Sequence, residues 1–286
     1  MSSGYVHSAT GRLKQVLLCP PDYLALTPIN KIAKDWLNKG VSIDSNKCLL
    51  EHQQLISFYE KSAIKVSLLA PSEGLSSQLF SRDFAFMLKE GAVIGRFKEP
   101  LRQAETLYYK NKLIEMGIPI IATCSQGVIE GGDFWMLDEK TLVIGCLQRS
   151  NQAGIKNIRQ QLKPLGYEII SVEAKAKYLH LDMIFNIVDT KVAITYWPAL
   201  PTSFQNHLIK ENYDLIKIAE HEVFLHFCNL QTLGDKRVIS LESNVQVNKQ
   251  LEARGFTVFK LNCSEILKAG GGPHCMTFPI RRNKKT

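Results

Sequence analysis

The stretch Glu130-Gly131-Gly132-Asp133-Phe134-Trp135-Met136-Leu137-Asp138-Glu139-Lys140-Thr141-Leu142-Val143-Ile144 is a polar loop followed by two short apolar runs separated by a polar turn. That is the pattern of a β-hairpin. It recurs. Phe84 to Ile94 turns at Lys89-Glu90-Gly91, Met183 to Tyr196 turns at Asp189-Thr190-Lys191, and a weaker copy from Val223 to Leu241 turns near Gly234-Asp235. The turns are spaced about 45 to 51 residues apart, a period that marks repeated supersecondary units.

The segment after each hairpin completes the unit. Helical patterns span Leu101 to Met116 and Ile155 to Leu165, closed by Gly117 and Gly166, residues suited to a left-handed cap. Apolar strands come next, Pro119 to Ala122 and Tyr167 to Val172, and Asn244 begins a similar helix ending before Gly255, with Phe256 to Leu261 as its strand. The unit is strand, strand, helix, strand. Gln15 to Cys19 and Met276 to Ile280 can share the remaining copy, so that the chain ends close a ring of about five units. No Pro- or Ser-rich linker interrupts it, which predicts one α/β domain over residues 1–280 and a basic tail over 281–286.

Composition limits the function classes. With 286 residues, 45% hydrophobic and 22% charged, the chain can bury a large core. Met1-Ser2-Ser3-Gly4-Tyr5 lacks the basic-then-apolar pattern of a signal peptide and no apolar run is long enough for a membrane span, so a cytoplasmic protein without membrane contact is expected. The net charge of +8 sits partly in the tail and is otherwise interspersed with acids, which argues against nucleic acid as a partner. Seven cysteines, Cys19, Cys48, Cys124, Cys146, Cys228, Cys263 and Cys275, form no CxxC pair. Neither a disulfide framework, a metal site nor a cofactor is indicated.

The polar residues stand where the hairpins begin. Ser81-Arg82-Asp83 precedes the first, Glu130-Gly131-Gly132-Asp133 the second and His180-Leu181-Asp182 the third. Equivalent edges of successive units meet at the centre of a ring. Gly270-Gly271-Gly272-Pro273-His274-Cys275 would reach the same centre, its glycines letting backbone approach a ligand. On an extended chain His180 and Asp182 would share one face.

In order and spacing, the Arg-Asp, Glu-Gly-Gly-Asp, His-Leu-Asp and Gly-Gly-Gly-Pro-His-Cys blocks resemble the guanidino-modifying pentein enzymes: arginine deiminases, dimethylarginine dimethylaminohydrolases, arginine dihydrolases and amidinotransferases. The opening Tyr5-Val6-His7-Ser8, Gly11 to Val16 and Cys19-Pro20-Pro21-Asp22-Tyr23 are similar to the family start. The resemblance covers nearly the whole chain and implies a five-bladed α/β propeller, in agreement with the repeat.

A guanidinium is planar and cationic, so its hydrolysis needs carboxylates to hold it, a nucleophile at its carbon and an acid for the departing amine. Cys275 is the candidate nucleophile and His180 the acid and base, while Asp83 and Asp182 would pair with the guanidinium nitrogens. By resemblance Glu130 would orient His180, and Arg102 with Arg149 would clamp the substrate carboxylate, with Arg96 as second choice. Asp133 is open between substrate binder and loop brace. Pro28-Ile29-Asn30 resembles the dihydrolase branch and brings Asn30 into the set, whereas Arg82-Asp83 is the deiminase and dimethylargininase form. Asp182 tilts the expectation toward unmethylated arginine. The partner is thus a small-molecule substrate. An amidinotransferase, a ribosome-binding pentein and a cysteine peptidase are the rivals, and a homodimer is left open.

Overall fold

Apolar positions bounded by turn residues form short strands, and the chain assembles them in five similar sheets. The computed structural model describes residues 5–284; Met1 to Gly4 of the leader reading and Lys285 with Thr286 of the expected tail lie outside the described residues. In chain order the elements are β1 (Leu13–Leu18), α1 (Lys31–Asn38), α2 (Ser45–Lys61), β2 (Lys65–Leu68), β3 (Ala85–Met87), β4 (Ala92–Ile94), α3 (Glu105–Glu115), β5 (Ile120–Thr123), β6 (Phe134–Met136), β7 (Thr141–Cys146), α4 (Gln152–Leu162) and β8 (Glu168–Glu173). The second half continues with β9 (Phe185–Asp189), β10 (Val192–Thr195), α5 (Thr202–Lys210), β11 (Asp214–Lys217), α6 (Glu220–Val223), β12 (Gln231–Gly234), β13 (Arg237–Leu241), α7 (Val245–Ala253), β14 (Thr257–Leu261) and β15 (Phe278–Arg282).

Each sheet has three strands, and in each the middle strand pairs antiparallel with the inner strand and parallel with the outer one. The parallel step needs a crossover, which the helix supplies. In the first sheet β15 takes the inner place, antiparallel to β1, with β2 parallel on the other side, so the two chain ends do close the ring. Inner and middle strands such as β3 and β4 are wholly buried, while outer strands such as β2 and β5 are partly exposed. Neighbouring sheets are locked by their inner faces. Phe86 of β3 stacks on Phe134 of β6 with ring centroids 4.0 Å apart. Truncating either ring to alanine is expected to cost about 3–5 kcal/mol.

The elements differ from the sequence expectation in several places. Arg281 and Arg282, assigned to a tail, belong to β15, because the closing strand runs on past Ile280. The helices α1, α2 and α5 and the strands β2 and β11 were not anticipated; in α2 and α5 the apolar periodicity is interrupted by polar residues. Residues Val223 to Leu230 of the fourth hairpin are not strand but the end of α6 and a loop. His180 and Asp182 do not lie on an extended segment either: a 3-10 turn at Leu181–Met183 follows His180, and Leu179 has φ of 61°. Gly117 and Gly166 adopt the left-handed conformation foreseen for them, with φ of 68° and 76°.

Candidate active site

The loops entering the inner strands converge on the ring axis and bring charged groups into the core. Cys275 is buried at 5% exposure, between Asn229 and Asp182. Its Sγ lies 3.1 Å from Asn229 Nδ2 and 3.5 Å from Asp182 Oδ2. Burial pushes its thiol well above the ordinary range, and the charges of Asp182 and Asp83 push it further. A cavity of about 20 Å³ beside it is bordered by Asn30, Phe80, Asp83, Arg102, Arg149 and His180, among others.

His180 Nε2 is 2.9 Å from Glu130 Oε2, and its Nδ1 is 3.9 Å from Asp83 Oδ1. Burial works against a charge on the imidazole, but Asp83, the Glu130 hydrogen bond and Asp133 outweigh it and raise the pKa to about 9. Gly132 makes room for this ring, since a Cβ there would stand 2.7 Å from His180 Nδ1. Glu130 is itself ionised, held to about 2 against its burial by His180 and Arg149.

The carboxylates are only partly satisfied. Asp83 Oδ2 accepts from Arg102 Nη1 at 2.6 Å, while Asp83 Oδ1 has no hydrogen-bond partner. Asp182 Oδ2 accepts from Asn229 at 3.1 Å and contacts His274 Nδ1 at 2.8 Å, while Asp182 Oδ1 has no hydrogen-bond partner. Buried carboxylate oxygens without donors are costly, and a cationic ligand relieves that cost.

The family model described as N,N dimethylarginine dimethylhydrolase, eukaryotic, matches residues 20–282. The chain belongs to that family, within the pentein superfamily. An uncharacterized protein, YkgA of Bacillus subtilis, is 32% identical over 96% of this pentein and 94% of its own length. The N(G),N(G)-dimethylarginine dimethylaminohydrolase of Mycobacterium tuberculosis is 26% identical over 98% of this chain and 93% of its own. The N-terminal domain of ArgZ, a cyanobacterial arginine dihydrolase, shares the fold at a TM-score of 0.83 and 23% identity, covering 94% of this chain and 98% of that one. The protein is therefore a pentein of the guanidino-modifying, arginine-directed hydrolase families.

In this pentein the sequence-derived residues divide into three groups. Cys275, His180, Glu130, Asp83, Asp182, Arg102, Arg149 and Asn30 come together around the axis. Asn30 caps α1, accepting from Ala33 N at 2.9 Å and donating to Ala269 O at 2.9 Å, which ties α1 to the loop carrying Cys275. Asp133 lies one layer further in as a brace. It accepts from Ser150 Oγ at 2.6 Å and Leu181 N at 2.8 Å, and burial raises its pKa to about 7. Arg96 does not join the site: it is exposed and reaches the Ser125 carbonyl at 3.3 Å, because the Arg96 to Ile129 bridge turns it outward.

The two remaining arginines differ in how fully they are engaged. Arg102 bonds Glu105, Asp83 and the carbonyls of Ser77 and Phe80, so each of its nitrogens has a protein acceptor. Arg149 bonds Glu130 and the Ile29 carbonyl; its buried Nε has no hydrogen-bond partner and only a long ion pair to Glu99 at 3.8 Å. Asn229, Glu105 and His274 were missed. Asn229 stands two residues before β12, the position Asp83 occupies before β3, so the fourth hairpin's polar residue was the available signal. The Asp83, Glu130 and His180 ligand atoms lie within 4.8 Å of one another, spacing a metal ion can use, but Arg102 and Arg149 already neutralise both acids.

Proposed function

We propose that this chain is a cysteine hydrolase acting at the guanidino carbon of arginine or an ω-methylated arginine, releasing ammonia or an alkylamine. The observation that carries this reading is the pair of buried oxygens without a hydrogen-bond donor, Asp83 Oδ1 and Asp182 Oδ1, on acids that both act on the thiol of Cys275. A planar guanidinium presents N–H donors that suit two carboxylates, and its charge removes the repulsion that keeps the thiol protonated. The thiol proton passes to solvent, and thiolate attack then forms a carbon–sulfur bond as the C–N bond to the departing amine breaks. His180, charged at neutral pH, delivers its proton to the departing amine and afterwards takes one from the water that cleaves the thioether, leaving the ureido product and free Cys275.

Arg149, whose Nε lacks a hydrogen-bond acceptor, is the group suited to the substrate α-carboxylate, and Arg102 holds Asp83 in place. Asp182 favours unsubstituted arginine, since a second carboxylate asks for an N–H on each ω-nitrogen. Incubation with arginine, ω-methylated arginines or agmatine, with products identified by mass, tests the reading. Citrulline from either of the first two supports it. Ornithine with carbon dioxide identifies a dihydrolase instead, and turnover only after an amine acceptor is added identifies a transferase.

A further inference from the structure

Further along the inner strands, at Met87 and Met136, a second cavity of about 40 Å³ is bordered by Arg82, Arg282, Trp135, Asn186, Gln231 and His274. Two buried guanidinium groups face it. Arg82 donates to His274 O at 3.4 Å and Gln231 Oε1 at 3.1 Å; Arg282 donates to Gly11 O at 2.8 Å and Thr232 O at 2.6 Å. Every one of these acceptors is neutral, and among the described residues no carboxylate forms an ion pair with either arginine. Burial draws Arg82 to about 10, and burial with Arg82's charge draws Arg282 to about 9, so both are charged at neutral pH. Of the carboxylates, Asp182 and then Asp83 act on Arg82 electrostatically, and neither forms a hydrogen bond or ion pair with it; Asp182 Oδ2 is bonded by Asn229 and His274 and Asp83 Oδ2 by Arg102.

Two buried like charges with only neutral acceptors are expensive, and proteins ordinarily answer with an anion. Trp135 adds a further donor, because its buried Nε1 has no hydrogen-bond partner. Asn186 Oδ1 is the one buried side-chain acceptor of the described lining without a hydrogen-bond partner and suits a companion water. A polar cavity needs roughly 10–15 Å³ per water, so this one, with room for about three, admits a small ion with a water and no anion of amino-acid size. We propose that the cavity between Arg82 and Arg282 binds a halide, chloride under physiological conditions, as the counter-ion of the ring axis.

Anomalous diffraction from wild-type crystals grown in sodium bromide tests this directly, with a peak expected between the two guanidinium groups. In solution at constant ionic strength, chloride replacing gluconate should raise the melting temperature by roughly 5 °C at about a hundredfold excess over Kd. Arg282→Gln should lose both effects. If that variant does not fold, Gln231→Glu keeps the question open to refutation, since a carboxylate placed beside Arg82 should stabilise the protein without chloride and abolish the chloride response. No bromide peak together with a flat melting temperature in wild type overturns the proposal. Bromide density undiminished in Arg282→Gln means an adventitious ion only and overturns it as well.

Discussion

Asn229 is the residue on which the position of Cys275 rests, and removing its side chain is the sharpest test of the site's construction. Its Oδ1 accepts from the backbone N–H groups of Gly272 at 3.1 Å, His274 at 3.1 Å and Cys275 at 3.2 Å, and its Nδ2 donates to Asp182 and Cys275 Sγ at 3.1 Å each. Asn229→Ala strands two buried donors, the N–H groups of Gly272 and Cys275; the His274 N–H keeps the backbone carbonyl of residue 229 at 3.3 Å, and Asp182 Oδ2 keeps His274 at 2.8 Å. Each such loss costs about 1–3 kcal/mol, with partial relief from entering water, so about 2–4 kcal/mol in total is expected. For a chain of this length that lowers the melting temperature by roughly 4–16 °C. Calorimetry measures the loss, and the rate of Cys275 alkylation by a haloacetamidine measures the site. Asn229→Asp separates the two roles: its oxygens still accept from the loop, so much of the stability returns. A negative charge beside Asp182 instead raises the thiol pKa and slows alkylation. An Asn229→Ala variant within about 2 °C of wild type and alkylated at the same rate would refute the reasoning.

Three other outcomes are expected from the same geometry. Haloacetamidine should label one cysteine, Cys275, because Asp83 and Asp182 beside its cavity draw in the cationic amidine and its charge offsets the effects that raise that thiol, while Cys19, Cys48 and Cys228, raised by burial and outside that cavity, stay unmodified by peptide mapping. The pKa of His180 is raised in the folded state to about 9 from an ordinary 6.5, so its contribution to stability is complete below about 6.5 and is lost as pH rises through 9; Glu130→Gln should flatten that decline and move the alkaline limb of activity to lower pH. Asp182→Asn should reduce kcat/KM for arginine by a factor equivalent to about 1–3 kcal/mol and reduce it less for an ω-methylated arginine, an unchanged ratio between the two marking Asp182 as structural.

Much of the ring was legible because its signals are local. Hairpins betray themselves by alternation around a polar turn, and Gly117 and Gly166 end helices wherever the rest of the chain goes. Repetition turned four weak hairpins into an architecture, and the polar residues ahead of them marked the axis. The residues that gather there, Cys275, His180, Glu130, Asp83 and Asp182, were found for that reason.

What the linear chain could not decide was which of these groups touch. His180 meets Glu130 across 50 residues and Cys275 meets Asn229 across 46. Those pairings depend on how neighbouring sheets pack, a long-range property with no local pattern. The same holds for Arg102, Arg149 and Arg96, alike as sequence but divided by tertiary structure into a buried brace, a cavity-facing cation and a surface residue. His180 and Asp182 show the limit most directly. Two residues apart, they were expected on one face of an extended segment, yet the positive φ of Leu179 and the 3-10 turn after His180 send one side chain to Glu130 and the other to His274. Local spacing supplied the chemistry, and the closing of five sheets around one axis determined its geometry, because only packing can bury opposite charges from distant segments against one another.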